Sequence, residues 1–256
     1  MHRFYKLLID DIKTMSIKEN FWYWIFPYIL LFMLMALYFS GIPFLAELVA
    51  PESNREYGIL ENSQLVFIFG VIILSFYVVF NKPAILQKWG FGLLGLLSIF
   101  IFLEEMDYGD HFIRYFSHDQ KRSIFLETFG TNSVHNQEGD ILIYMRRTPY
   151  VIIFILFTLC PFINRKYFHP LFNYLIPQPR MALMMILFFV AYFVPRWLID
   201  FNIFEVGSLG VGNSIGEFTE MIVYFIFLIY IYHIVIDKEW PKFMGLPFAK
   251  SSKGEK

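Results

Sequence analysis

Six apolar runs divide the chain, at 21–40, 64–80, 89–108, 141–163, 181–200 and 217–236. A helix needs roughly 20 mostly apolar residues to cross the ~30 Å hydrocarbon core of a bilayer, so each run reads as a membrane span. The first run begins at Phe21 and is too long for the core of a signal peptide. No small-residue cleavage site follows it, so it reads as an uncleaved span. Residues 2–15 carry another pattern. Phe4, Leu7, Leu8, Ile12 and Met15 share one helical face, with charges on the rest, as in a helix lying in the membrane interface. Pro195 falls inside the fifth run and is expected to end or kink it. No repeat or linker interrupts the pattern. It predicts one all-α membrane domain over 1–256, a bundle of six spans plus an N-terminal interfacial helix, with 249–256 a loose tail.

Lysine and arginine set the expected orientation. They gather before the first run (Arg3, Lys6, Lys13, Lys18), between the second and third (Lys82, Lys88), between the fourth and fifth (Arg165, Lys166, Arg180), and in the C-terminal tail. Residues 41–63 hold only Arg55. Both termini are therefore expected in the cytoplasm of a cell, with the protein in the cell membrane. The segment 109–140 holds Arg114, Lys121 and Arg122 but five acidic residues as well, and the parity of six spans puts it outside.

Charged residues inside the apolar runs are the candidates for function, because a carboxylate in hydrocarbon costs several kcal/mol. With a rise of ~1.5 Å per residue, Glu104 stands about 22 Å above Trp89 and Arg196 about 22 Å above Met181. Glu220 stands about 24 Å above Ile236, and Arg146 about 25 Å above Ile163. Four charges from four spans thus share one level near the outer face. Glu104, Tyr108 and His111 fall on one stripe if the third helix continues past Gly109, with Asp107 beside it and Glu105 pointing elsewhere. Asn213, Glu217, Glu220 and Tyr224 form a second stripe, and His135 and Glu138 are helical neighbours.

Carboxylates with histidines suit a divalent metal such as Zn, Fe or Mn. The candidate ligands are Glu104, Asp107, His111, His135, Glu138 and Glu220, with Glu105 and Glu217 as acid/base groups. Arg146, Arg147 and Arg196 are candidates for holding a substrate anion such as a lipid phosphate. The expectation is a metal-dependent enzyme, a hydrolase or oxidoreductase, acting on a lipid or another membrane-associated substrate. The alternative is a non-catalytic subunit bound to partner membrane proteins, or an ion- or proton-coupled carrier. In both, the same charges act as staples between helices or as proton sites. His-Glu-x-x-His, the Gly-x-Ser-x-Gly elbow and the P-loop are missing.

Composition agrees with a bilayer. The chain is 57% hydrophobic, above the roughly 45–50% apolar content of soluble domains. A net charge of -1 gives no reason to expect nucleic acid. A single cysteine, Cys160, rules out an internal disulfide and reads as a packing residue.

The run Glu104-Glu105, Gly109-Asp110-His111, followed by Asn132 and His135-Asn136, resembles a group of uncharacterised bacterial polytopic membrane proteins. Their pattern is Glu-Glu-x-x-Trp-Gly-Gln-Arg followed by a His-Asn pair. Here Tyr108 replaces the tryptophan, and Asp110-His111 replace Gln-Arg. The resemblance covers residues 104–136. It implies a bacterial inner-membrane protein and supplies no activity.

Overall fold

The computed structural model describes residues 2–51, 58–106, 151–163, 169–203 and 215–237. In chain order the helices are α1 (His2–Lys13), α2 (Ile17–Tyr38), α3 (Pro43–Val49), α4 (Ile59–Asn81), α5 (Ile85–Glu105), α6 (Val151–Phe162), α7 (Pro170–Leu175), α8 (Met181–Asp200) and α9 (Ile215–Ile236). No strand occurs among the described residues. Helices α2, α4, α5, α8 and α9 are long and apolar enough to cross a membrane. Together they make this an integral membrane protein with an all-α fold. The expected fourth span, 141–163, is described only from residue 151, where it forms the shorter apolar helix α6.

Several boundaries follow from local chemistry. Ser16 and Glu19 form a reciprocal capping box at the start of α2. Pro27 has no N–H for the Tyr23 carbonyl, and the helix widens to a π turn over Phe21–Ile25 just before it. Pro161 does the same to the Phe157 carbonyl in α6, which tightens from a π turn at Ile155–Leu159 to a 3₁₀ turn at Cys160–Phe162. Pro83 forces Lys82 into extended backbone and so closes α4. Pro195 neither ends α8 nor shortens it, and the helix runs on to Asp200.

The second span is longer than its apolar run. Helix α4 starts at Ile59, and Asn62 and Ser63 in its first turns satisfy their side chains on the carbonyls of Gly58 and Ile59, at 2.9 and 2.7 Å. Polar residues can thus occupy the first turn. Its buried face reads Leu60, Gln64, Phe67, Ile68, Val71, Ser75, Val78, a helical period with a glutamine inside it.

Helix α9 is the centre of the bundle, packed against α2, α4 and α8. Phe225 meets Phe67 of α4 and Phe26 of α2, and Phe218 meets Tyr38. Helices α4 and α5 form a tight antiparallel hairpin. A Cβ on Gly95 would lie 3.3 Å from Ser75 and from the Phe76 ring, so the absence of a side chain sets this approach. The contact also fixes the register. Eleven residues back from Ser75 is Gln64, and eleven on from Gly95 is Met106. Gln64 therefore stands level with the end of α5, where Glu104 and Glu105 lie.

Candidate functional site

The acidic residues of α5 and α9 lie towards the same end of the bundle, tied to it by separate hydrogen bonds. Gln64 of α4 is wholly buried. Its Nε2 donates to Glu217 Oε2 at 2.9 Å and to the Glu217 carbonyl at 3.3 Å. Glu217 occupies the first turn of α9, where free backbone N–H groups favour an acid. Two turns on, the Tyr224 hydroxyl donates to Glu105 Oε1 at 2.7 Å. Both bonds tie α9 to the α4–α5 hairpin, and both donors are neutral. Glu104 is 6% exposed, a burial that a carboxylate tolerates only in a built environment. Glu220 is half-buried between Glu217 and Tyr224 on the same helix face.

One expectation changes here. Glu105 does not point away from the site, because Tyr224 holds it against α9. Helix α5 closes at Glu105, with Met106 as its cap. The expected continuation of its stripe through Tyr108 and His111 lies outside the described residues. The segment that holds Asp107, His111, His135, Glu138, Arg146 and Arg147 lies outside the described residues.

Arg196 reaches neither Glu104 nor Glu220. Its guanidinium lies over the Tyr192 ring, 3.9 Å from the centroid, and its Nη1 donates to the Tyr192 carbonyl. It makes no ion pair with a described carboxylate, so it staples no helices there. Among the described residues, no three His, Cys, Asp or Glu side chains are grouped to hold a metal ion.

The opposite end of the bundle has its own polar structure. Arg180, 5% exposed, precedes α8. Its backbone N–H, Nε and Nη2 all donate to the Asp11 carboxylate, at 2.7, 3.1 and 2.8 Å. Its Nη1 reaches Glu19 at 3.0 Å. Burial pulls the Arg180 pKa down, but the hydrogen bonds and charge of Asp11, with Tyr23 and Glu19, outweigh it and hold the guanidinium above its ordinary value. The arginine that orientation counting treats as a topological charge thus fastens α1 to the bundle. Nearby, Gln87 of α5 donates to the Tyr174 hydroxyl at 2.9 Å, and Tyr174 donates to the Ile234 carbonyl at 3.0 Å. Tyr230 donates to the Leu175 carbonyl. His233 is buried on α9, and His169 caps α7 through its Nδ1.

Sequence reasoning missed Gln64. The available signal was its place on the i, i+3, i+4 face of α4, one turn beyond Glu61. No family model matches the chain, nor does any curated protein or solved structure.

Proposed function

We propose that this integral membrane protein works through its acidic end, which faces the extracytoplasmic side of a bacterial cell membrane, and that the carboxylates there bind a cation. The observation that carries this reading is the Gln64–Glu217 hydrogen bond. It brings a carboxylate to a fully buried neutral donor with no basic partner among the described residues, so the negative charge is left for a cation to balance. The counts of Lys and Arg support the orientation.

The cation is a divalent metal, Zn, Fe or Mn, if Asp107, His111, His135 and Glu138 complete a site with Glu104 and Glu220. The protein is then a metal-dependent enzyme. Glu105 and Glu217 exchange protons, and Arg146, Arg147 and Arg196 hold the phosphate of a lipid or lipid-linked substrate. Arg196 supports that role, because it is half-buried, stacked on Tyr192 and not neutralised by a described acid. A second reading, an ion- or proton-coupled carrier, is favoured by one observation. The described carboxylates alone do not gather into a metal-holding group.

Metal analysis of the detergent-purified protein beside Glu104→Ala and His111→Ala separates the two. Near-stoichiometric metal, lost in both variants, is the result expected for the enzyme. A folded wild type without metal leaves the carrier.

A further inference from the structure

We infer that the outward face of α5 is a dimer seam, on which the α5 of a second copy of this chain packs in parallel. The inference goes beyond the proposed function and does not depend on it. Among the described residues only α4 packs along the length of α5. Gln87 and Glu105 tie its two ends to Tyr174 and Tyr224. The side away from α4 is left bare. Leu86, Trp89, Leu93, Leu96, Phe100 and Leu103 on it are 41–68% exposed.

An apolar face by itself calls only for lipid. Two features of this one call for a helix. The first is its period. The six residues advance by 3, 4, 3, 4 and 3, the a and d positions of a heptad repeat, over nearly the whole span. A straight helix drifts off that repeat by about 20° per heptad, and the exposed faces of two other spans do drift. Phe69, Ile73 and Tyr77 on α4 advance by 4 and 4, as do Phe189, Phe193 and Trp197 on α8. A face that keeps the 3.5 period suits a partner helix crossing at about 20°.

The second feature is Gly90, exposed on the same side between Leu86 and Leu93. A Cβ there would meet nothing in the chain within 4 Å. Glycine costs a helix about 1 kcal/mol against alanine, and no contact within the chain asks for it. Gly95 differs, since α4 lies against it. A small residue on an outer face lets a second backbone come close, which is how helices associate where the hydrophobic effect does not drive them.

Symmetry and area select a second copy as the occupant. Two copies inserted with one orientation bring their α5 helices together in parallel about a two-fold axis, so each seam residue faces its own counterpart. All six are uncharged, and self-pairing sets no like charges opposite each other. With Leu97 beside them, their exposed surface is on the order of 800 Å², about what each partner brings to a standard interface.

Cysteine cross-linking of the full-length protein in membranes, with copper phenanthroline as oxidant, tests the seam. Cys160 is the only cysteine, so Cys160→Ala gives a clean background. Leu93→Cys and Leu96→Cys should each oxidise to a covalent dimer of the chain. Ile73→Cys, on the exposed face of α4, should stay monomeric. Gly90→Leu should abolish the Leu93→Cys link and leave the protein monodisperse, because a side chain there meets nothing within the chain. If Gly90→Leu does not elute as a monodisperse species, the mass of the wild-type particle in a nanodisc decides, with two chains expected. One chain per particle overturns the inference. So does an Ile73→Cys link as strong as that at Leu93, a Leu93→Cys link that ignores Gly90→Leu, or a Leu93→Cys link to a different protein.

Discussion

The Thr219 hydroxyl of α9 points at the Ala191 carbonyl of α8, 3.4 Å away. Pro195 has no N–H, so Ala191 lacks the donor that an unbroken helix would give it. Thr219, 2% exposed, supplies the missing donor from the neighbouring helix. The distance is long, so the bond is weak. Thr219→Val should lower stability by about 0.5 kcal/mol, near the mean for hydrogen bonds between membrane helices. Pro195→Ala returns the carbonyl to its own helix and should make Thr219→Val nearly neutral. Thermal unfolding of the four proteins in detergent gives the cycle. Equal effects of Thr219→Val in both backgrounds would show that the hydroxyl does not serve that carbonyl.

The opposite end depends on a stronger pair. Asp11 and Arg180 are 169 residues apart, with side chains 13% and 6% exposed. Removing one partner leaves the other charge buried, which costs about 3 kcal/mol. Arg180→Ala should therefore destabilise the protein by about that amount and release α1, read as fast hydrogen exchange over residues 2–13. Arg180→Lys should recover only part of the loss, because an ammonium cannot fork between Asp11 and Glu19. Unchanged exchange in Arg180→Ala would mean that α1 is held by its apolar face alone.

These contacts show how far the sequence could be read. The span of α8 matches its apolar run residue for residue, because a predominantly apolar run of that length leaves a helix few alternatives. The ends of α2 and α4 do not match their runs. Ser16 and Glu19 extend one by capping, and the other takes in Asn62 and Ser63, whose side chains bond back to the helix. That shift decides how Gln64 is read. At the edge of an apolar run it looks like an interfacial residue, but on a helix that begins at Ile59 it sits more than a turn inside. Glu217 and Tyr224 were visible as a stripe at i and i+7. Their separate partners, Gln64 and Glu105, depend on a register set by Gly95 against Ser75, which no periodicity reveals. Arg180 was legible as a charge at a span end but not as the partner of Asp11, since pairing over that separation exists only in the folded chain.

Tyr174 gives a pH dependence. Burial pushes its phenol up to about 12, against the opposing pull of the Gln87 hydrogen bond. The neutral phenol is the form that donates to Ile234 and so joins α7 to the end of α9. A raised value means that the folded state binds this proton more tightly than the unfolded chain. Its contribution is complete below the ordinary tyrosine value near ~10 and is lost as pH rises through about 12. Tyr174→Phe should cost about 1–2 kcal/mol at neutral pH, and the difference from wild type should shrink above pH ~10. Thermal unfolding across that range checks both, and a gap that stays constant would place the phenol in an ordinary environment.

The Tyr224–Glu105 bond tests whether the acidic end is a built site or a set of solvated surface acids. An O–H to carboxylate bond of 2.7 Å is charge-assisted. Tyr224→Phe removes the hydroxyl and keeps the ring, and should cost about 1 kcal/mol. Glu105→Gln keeps an acceptor at the same place without the charge. In that background Tyr224→Phe should cost about half as much, since hydrogen bonds to charged groups are roughly twice as strong as neutral ones. Unfolding midpoints of wild type, the two single variants and the double variant give the coupling directly. A coupling near zero would mean that Glu105 is a surface residue whose contact with Tyr224 contributes nothing. A clear coupling means that the bundle holds an ionised carboxylate in place with a neutral donor, which is the arrangement a cation-binding site needs before its cation arrives.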